Sequence, residues 1–518
     1  MRQLVLFLIA LFLLAAAGDP SAATVTVPAG GDLQQALNAA RPGDTILLEP
    51  GATYVGNFFL PSKVGDDQRP ITLRSAGDPA PAGQRVTPEH AARLAKLRSP
   101  DNMPVLRTQP RARFWRIELV EFLANKEGMG DVVALGDGSA AQNNLTDVPS
   151  DLVLDRVYIH GDPRVGQKRA VALNAARTTI SNSYIADIKS IGQDSQAIAG
   201  WNGPGDYTIV NNYLEAAGEN VIFGGGDPAI PNLTTTHIVV RGNVFRKPLE
   251  WRDAALRWQV KNLFELKNAR DVAVEQNLFE NNWQQAQSGY AILFTVRNQD
   301  GACTWCQLER ITFRRNVVRH IAAGVQILGV DSNHPSRQTN GIAITGNLFD
   351  DIDSKQWGGD GYFAQITDSP RDVTIDHNTV IQGQSNGVLK LSGAVEGFVF
   401  TNNVMSHGAY GIIGADRGVG NDSIRAYLPG ATITANVLAG GRRDLYPSGN
   451  LFPSLEEFRA QFVNYAAHDF RPRPGSPWLR AATDGGALGA AVDKTNFPFS
   501  ESVAFFLFTR IFSEFSCC

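Results

Sequence analysis

The chain has 518 residues, of which 43% are hydrophobic and 19% charged, and its formal net charge is −4. A chain of this length can bury a large core, and without a basic excess it is a poor candidate for binding nucleic acid. Its four cysteines are too few for a fold built on a disulfide framework.

The N-terminus carries a short apolar run over residues 4–17, followed by the small residues Ser21, Ala22 and Ala23. The run is too short to span a bilayer and is typical of a signal peptide. We therefore expect residues 1–23 to be removed on export. The mature protein is expected to be extracellular or periplasmic, with no membrane span.

The first predicted element of the mature chain is a short helix over about residues 32–41. Asp32 is placed to cap it, Leu33 and Leu37 share one face, and Pro42-Gly43 ends it. This helix is expected to cover the first coil of a repeat structure, whose strands would lie within residues 45–50 and 70–77.

From about residue 208 an internal repeat organises the chain, in which alternating apolar residues are followed by Asn and more apolar residues. Eight units place Asn in the same register, and Val120, Val157 and Ser183 fill this frame upstream. The Asn residues are Asn212, Asn243, Asn277, Asn316, Asn347, Asn378, Asn403 and Asn436, with separations of 31, 34, 39, 31, 31, 25 and 33 residues.

Each repeat also contains a second short strand-like run, such as residues 197–201 or 263–267. Alternation of this kind predicts strands, and a variable period near 30 predicts coils with loops of different length. The sequence thus predicts an all-β solenoid of about 12 coils, a single-stranded parallel β-helix with three parallel sheets and short capping helices.

The Asn column is expected to form a ladder at one bend of the coil. Asn tolerates the left-handed backbone region that a sharp bend needs. Its amide can also hydrogen-bond the same amide one coil away, so that polar groups inside the wall are satisfied.

Two features lie outside the repeat pattern. Cys303 and Cys306 have CxxC spacing without a second CxxC or a nearby His, which predicts a local loop disulfide or two free thiols rather than a redox or metal site. Ser454 and Glu457 form a capping box that predicts a helix through about Phe462, within a C-terminal capping segment of about residues 454–480.

The predicted β-helix therefore covers residues 24–490 as one domain, expected to be a monomer. Residues 491–518 are rich in aromatic and apolar side chains and lack the repeat. We interpret them as a disordered or truncated terminus.

Together, the Asn register, the three strands per coil and the opening residues 24–51 resemble the right-handed parallel β-helices of the pectate-lyase-like superfamily. The resemblance covers about residues 24–490 and implies the fold more strongly than an activity. Activities in this group include polysaccharide lyases, glycosidases and epimerases, and some members are noncatalytic surface proteins. The polygalacturonase motifs and the tryptophan-containing WxDH element of pectate lyases are absent from this chain.

Candidate catalytic residues lie on the second strand run, where sugar-acting β-helices usually place their site. If Phe264 and Leu266 point inward, Glu265 and Lys267 point outward, and Thr295 and Arg297 are expected to match them one coil on. Further outward positions, expected to bind substrate, are Gln326, Gln365 and Lys390.

A carboxylate beside Lys and Arg suits β-elimination of an acidic polysaccharide, in which a cation neutralises the uronate carboxylate and a basic group removes the α-proton. The arrangement is similar to that of alginate-lyase-type β-helices, which pair calcium held by Glu with a Lys and an Arg. The resemblance thus implies catalytic roles for Glu265, Lys267 and Arg297, and a possible Ca²⁺ site with Glu265, Glu219 and Asp227 as ligands.

Several alternatives stay open from the sequence. Outward charged residues are commonly only a solvated face, so the protein could be a noncatalytic carbohydrate-binding or cell-surface β-helix. A pair of carboxylates across a groove could instead make it a glycoside hydrolase. Other candidate acids are Asp194, Asp300 and Asp360.

Six of the eight tryptophans fall in connections that flank the second strand run. Of these, Trp201, Trp258 and Trp357 are predicted to bind substrate by stacking on sugar faces, although loop tryptophans can equally pack down as local plugs.

Overall fold

The structure is a computed structural model that describes residues 22–63, 68–252, 255 and 257–491. The predicted signal peptide, apart from its last two residues, and nearly all of the C-terminal tail lie outside the described residues. No helix in the described part of the chain is long and apolar enough to cross a membrane.

Three parallel sheets of 14, 13 and 12 strands form the body of the protein. We call them sheet 1, sheet 2 and sheet 3, in the order in which a typical coil visits them. Each strand pairs in parallel with the equivalent strands of the neighbouring coils. Parallel crossovers of this kind are right-handed. The chain is a right-handed parallel β-helix, as the sequence predicted.

The strands of sheet 1 are Thr24–Val27, Thr45–Leu48, Ile71–Ser75, Arg113–Glu118, Ser150–Asp155, Ala176–Ser181, Gly205–Val210, Thr235–Arg241, Ala269–Glu275, Leu308–Arg314, Asn340–Thr345, Arg371–Asp376, Val399–Thr401 and Thr432–Thr434. Those of sheet 2 are Thr53–Val55, Ala95–Arg98, Val120–Phe122, Tyr158–His160, Tyr184–Ile188, Tyr213–Ala216, Val244–Arg246, Leu278–Asn282, Val317–Ile321, Leu348–Ile352, Thr379–Gln382, Val404–Ser406 and Val437–Ala439. Those of sheet 3 are Phe58–Leu60, Leu106–Thr108, Asp131–Leu135, Arg169–Leu173, Gln196–Gly200, Glu219–Phe223, Asn262–Leu266, Tyr290–Thr295, Ala323–Leu328, Ala364–Thr367, Leu389–Ser392 and Ile412–Gly414.

The helices are short and lie in connections or near the ends. The α-helices are Leu33–Ala39, Ser354–Trp357, Asn421–Tyr427 and Leu455–Arg459. The 3₁₀ helices are Pro88–Arg93, Leu145–Asp147, Leu249–Trp251, Arg443–Leu445, Tyr465–Ala467 and Pro477–Arg480. An antiparallel pair, Phe462–Asn464 with Asp469–Pro472, follows the last coil.

The predicted Asn ladder is present at the bend between sheets 1 and 2. Each ladder amide donates to the Oδ1 of the next one along the axis, as from Asn277 Nδ2 to Asn316 Oδ1 at 3.0 Å and from Asn316 Nδ2 to Asn347 Oδ1 at 3.1 Å. Asn450 extends the file beyond Asn436, and Ser183 begins it. All eight predicted members are completely buried.

The backbone role assigned to the ladder residues is wrong in one respect. The left-handed conformation belongs to the residue before each ladder Asn, for example Gln276 with φ 56° and Arg315 with φ 53°. The ladder Asn itself keeps a negative φ, because its side chain must point into the wall to reach the neighbouring coil. The preceding residue makes the turn, and its side chain can leave toward solvent.

The N-terminal cap agrees with the prediction, because Asp32 Oδ1 accepts from the Gln35 N–H and Leu33 and Leu37 are buried. At the other end the core is covered by the helix Asn421–Tyr427, whose Ile424 joins the central core.

The predicted capping box of Ser454 and Glu457 is also present, but its helix ends at Arg459 rather than near Phe462. The segment it opens contacts the last coil from the side, at the outer face of sheet 2. Phe458, Phe462 and Trp478 pack on the outer side of sheet 2, against residues such as Val404 and Val437. Apolar side chains on that outer surface provide the area which this segment buries.

Candidate functional site

A groove of about 730 Å³ lies on the outer face of sheet 3, on the strand run that the sequence indicated. Five cationic and three acidic side chains line it, an excess of positive charge in a chain whose net charge is −4. The charged lining residues are Lys168, Arg169, Lys261, Lys267, Arg297, Asp194, Glu219 and Glu265.

The strands of sheet 3 do not alternate strictly, and this controls which side chains reach the groove. In the strand Asn262–Leu266, Leu263 and Phe264 both belong to the central core, although they are consecutive. Asn262 and Glu265 therefore both face outward. The same pattern recurs in Glu219–Phe223, where Glu219 and Ile222 line the groove.

The first outward position of these strands forms a polar column in register, Asp131, Arg169, Gln196, Glu219 and Asn262. Its first four members are hydrogen-bonded along the axis. Arg169 Nη1 donates to Asp131 Oδ1 at 2.8 Å, and its Nε donates to Gln196 Oε1 at 3.0 Å. Gln196 Nε2 in turn donates to Glu219 Oε2 at 2.9 Å. The column fixes Glu219 from the N-terminal side.

Glu265 and Lys267 form an ion pair on the floor of the groove. Lys267 Nζ lies 2.6 Å from Glu265 Oε1, and Asn262 Nδ2 donates to Glu265 Oε2 at 2.9 Å. Glu265 is completely buried, whereas the Lys267 side chain keeps 18% of its exposure. The amine is therefore the member of the pair that a ligand can reach.

A second ion-paired set lies beside it. Lys261 Nζ contacts Asp194 Oδ2 and lies 3.3 Å from Glu219 Oε1. Burial lowers the pKa of Lys261, but the Glu219 and Asp194 carboxylates outweigh this and raise it above its ordinary value. Lys261 is thus a permanent cation rather than a candidate base.

The pKa values of the two buried glutamates, Glu219 and Glu265, are shifted in opposite directions. Burial, together with the neighbouring Glu265 carboxylate, raises the pKa of Glu219. Burial acts in the same direction on Glu265, but the Lys267 ammonium overcomes it and holds the pKa of Glu265 below its ordinary value. Glu265 is therefore the firmly ionised member of the pair.

Arg297 lies at the edge of the groove nearest sheet 1, and a buried carboxylate, Asp331, fixes its guanidinium. Its Nη1 lies 2.7 Å from Oδ1 of Asp331, whose side chain is completely buried. Asp331 also accepts from the backbone N–H groups of Asn298 and Asn333, at 2.8 and 2.9 Å. This leaves further guanidinium N–H groups available to a ligand in the groove.

The predicted register between the Glu265 strand and the next coil is wrong by two residues, which is one outward position. Glu265 pairs with Leu293 rather than Thr295, and Thr295 stands beside Lys267 instead. Arg297 comes two residues beyond Thr295, and its backbone N–H donates to Lys267 O at 3.0 Å. The structure still brings Glu265, Lys267 and Arg297 into one groove.

Gln326, Gln365 and Lys390 continue the Glu265 column over the next coils but do not line the groove. Lys390 is half-exposed and pairs with Asp360 at 3.3 Å. Asp360 also accepts from the Tyr290 hydroxyl at 3.2 Å. These residues could contact only a ligand that extends beyond the groove.

Of the predicted stacking tryptophans, only Trp201 reaches the groove. Its Nε1 donates to Gly138 O at 2.9 Å, and the Arg169 guanidinium lies 5.0 Å from its ring centre. Trp258 and Trp357 do not fit the substrate-binding prediction, because they are buried in a cluster with Trp251 and Trp283. Apolar rings from these long connections pack on each other and form the plug that was the alternative interpretation.

Two further acids predicted from the sequence, Asp227 and Asp300, do not line the groove. Asp227 does not fit the predicted metal role, since its carboxylate accepts from the backbone N–H groups of Gln299, Asp300 and Ala302 and so fixes that loop. Asp300 is exposed within the same loop. Cys303 and Cys306, a little further on, form a disulfide, which selects the loop-disulfide alternative.

The calcium site implied by the resemblance does not fit the donors present. All four carboxylate oxygens of Glu219 and Glu265 already accept from Lys261, Gln196, Lys267 or Asn262. Across residues 22–63, 68–252, 255 and 257–491, no group of three or more His, Cys, Asp or Glu side chains is placed to hold a metal ion. Ca²⁺ takes six to eight oxygen ligands, which this arrangement does not offer.

Sequence reasoning missed Lys261, Arg169, Gln196, Asn262 and Asp331. A signal existed for three of them, because Arg169, Gln196 and Asn262 are polar first residues of successive strand runs. Strict alternation from Phe264 would place Asn262 inside the wall, whereas Leu263 occupies the core instead.

No protein-family model and no curated protein sequence matches the chain. Among solved structures it is similar to an alginate lyase from Paenibacillus sp., with 16% identity over 72% of this chain and 99% of that one and a TM-score of 0.38. It is also similar to a mannuronic acid specific polysaccharide family 6 lyase from human gut microbiota (13%, 82% and 87%, TM-score 0.49). A pectate lyase gives 13% identity over 92% of this chain and 97% of that one, with a TM-score of 0.39. At these values the likeness concerns the fold alone.

Proposed function

We propose that the protein is an exported lyase that cleaves an acidic, uronate-containing polysaccharide by β-elimination. The observation that carries the proposal is the Lys267 amine on the groove floor, anchored by the buried Glu265 and flanked by Arg297. The cationic excess of the groove suits a polyanionic chain rather than a neutral one.

Each residue has a distinct role in this reaction. The Arg297 guanidinium pairs with the uronate carboxylate, which makes the adjacent α-proton more acidic. Lys267 first releases its ammonium proton to solvent. Its neutral amine then accepts the α-proton, and the electrons of the broken C–H bond form the C4=C5 double bond as the bond from C4 to the glycosidic oxygen breaks. The proton then passes to the departing oxygen. Glu265 holds Lys267 in place, and Trp201 offers its ring to a sugar face.

The test is to incubate the purified protein with a panel of uronate polymers and to follow the ultraviolet absorbance of the new double bond. We expect Lys267→Ala to lower kcat by about 10²–10⁴-fold, the usual contribution of a general base. Arg371→Ala is a matched control, because Arg371 makes an exposed ion pair with Glu396 on sheet 1. If the wild-type protein forms no unsaturated product from any polymer, yet is retained by one of them, the protein is a noncatalytic binder and the proposal is wrong.

A glycoside hydrolase is the second candidate, favoured by one observation. The pKa of Glu219 is raised and that of Glu265 lowered, the division expected of an acid and a base. Both carboxylates are nevertheless buried beneath ion pairs, so a sugar would meet Lys261 and Lys267 first. New reducing ends without an ultraviolet signal would select this alternative.

Export and a monomeric state are part of the same proposal. They are supported by the apolar run over residues 4–17 and by a fold that satisfies its own strand pairing along the whole axis. N-terminal sequencing of the protein recovered outside the cytoplasm should begin near residue 24, and light scattering should give the mass of one chain.

A further inference from the structure

The floor of the groove holds three acidic side chains, Asp194, Glu219 and Glu265, where an anionic substrate has to bind. Glu219 and Glu265 are buried, whereas the Asp194 side chain is 41% exposed at the edge of the floor. Unless the buried carboxylates are neutralised, they repel a uronate, because their charges are poorly screened by solvent. The lyase reaction proposed above therefore requires fixed positive charge among these acids.

Lys261 supplies that charge from within the chain. Its Nζ contacts Asp194 and lies 3.3 Å from Glu219, while 15% of the side chain remains exposed toward the groove. The residue precedes the strand Asn262–Leu266, and its backbone N–H donates to Ala217 O at 3.1 Å. The ammonium is thus held against the acids by the main chain as well as by the ion pairs.

We propose that the Lys261 ammonium stands in this groove for the divalent cation that an acidic site of this kind would otherwise need, so that the enzyme acts on its polyanion without a metal. The inference rests on the proposed function. It makes Lys261 a positioning residue, which neutralises Glu219 and Asp194 and leaves Lys267 and Arg297 to contact substrate.

The first experiment uses the wild-type protein. Lyase activity should be unchanged by EDTA and by added Ca²⁺, and calorimetric titration with Ca²⁺ in the absence of polysaccharide should show no binding at the groove. Activity lost in EDTA and restored by Ca²⁺ would overturn the proposal.

The second experiment removes the internal cation. With the ammonium gone, Asp194 and Glu219 are left unpaired, and we expect Lys261→Ala to bind Ca²⁺ with a Kd on the order of 10⁻⁴–10⁻³ M, the range of weak extracellular sites. Its KM for the polymer should rise more than its kcat falls, and Ca²⁺ should reverse part of the rise. The double variant Lys261→Ala with Glu219→Gln should lose the acquired Ca²⁺ binding.

These readouts separate the two proposals. Calcium binding is measured without substrate, so it tests the role of Lys261 even if no polymer proves to be cleaved. A Lys261→Ala protein that keeps its melting temperature and binds no Ca²⁺ contradicts the inference. If that variant does not fold, the wild-type titration and the EDTA experiment decide.

Discussion

Arg297 and Asp331 form an ion pair in which only one partner faces the groove. The Asp331 side chain is completely buried and the Arg297 side chain keeps 24% of its exposure, with 2.7 Å between Nη1 and Oδ1. The buried acid therefore orients a guanidinium whose remaining donors are free to meet a carboxylate.

Replacing Asp331 by Asn should raise KM for an acidic polymer about tenfold or more with a smaller change in kcat, since a hydrogen bond to a charged group contributes about 1.5–3 kcal/mol. Steady-state kinetics with a melting curve would check this. Asp444→Asn is the control, because Asp444 makes an exposed ion pair with Arg442. An unchanged KM would show that Arg297 does not depend on Asp331.

The Asn ladder should carry measurable stability. Asn316 donates to Asn347 and to Val274 O, and accepts from the backbone and side chain of Asn277. Asn316→Ala leaves several buried polar groups unpaired, each costing about 1–3 kcal/mol. Denaturant unfolding should show a clear loss, whereas Asn143→Ala, at an exposed position, should change little.

Glu215 should make stability depend on pH. Burial raises its pKa from 4.5 to about 7 in the folded protein. The folded state therefore binds more protons than the unfolded state between these values, so the stabilising contribution is complete below pH 4.5 and is lost as the pH rises through about 7.

The difference in unfolding free energy between wild type and Glu215→Gln should change by about 3 kcal/mol across that window, at about 1.4 kcal/mol per pKa unit. Urea unfolding at a series of pH values measures it. Glu396→Gln, which removes a carboxylate from an exposed ion pair, is measured in the same series as the control variant. If the unfolding free energies of Glu215→Gln and wild type change with pH in the same way, the buried carboxyl does not titrate in this range.

Substitution of two tryptophans, Trp258 and Trp201, should affect protein stability and polymer binding differently. Trp258 is 4% exposed and lies in the buried cluster, so Trp258→Ala should lower the unfolding free energy by about 3–5 kcal/mol. Trp201→Ala removes a ring that lines the groove, and we expect weaker binding of the polymer with a smaller loss of stability. Affinity electrophoresis and thermal melting on the same samples check both, and the reverse pattern would contradict the assignment.

The β-helix could be predicted from the sequence because the patterns that indicate it are local and repeated. Asn212 to Asn436 appear in one register, and the cap residues Asp32 and Ser454 carry short-range patterns whose hydrogen bonds the structure contains. The outward direction of Glu265 and Lys267 also followed from alternation next to core residues. The assumption of strict alternation was wrong near the start of the sheet 3 strands, where two consecutive residues such as Leu263 and Phe264 both point into the core.

The amino-acid sequence by itself determined the β-helix, its ladder and the face on which Glu265, Lys267 and Arg297 lie, because periodicity and bend chemistry are properties of neighbouring residues. Only the tertiary structure decided that Lys261 reaches Asp194 and Glu219, that Asp331 holds Arg297, and that Trp258 and Trp357 are buried. Those contacts join different coils through connections of unequal length, and their geometry depends on how each connection folds back onto its neighbours.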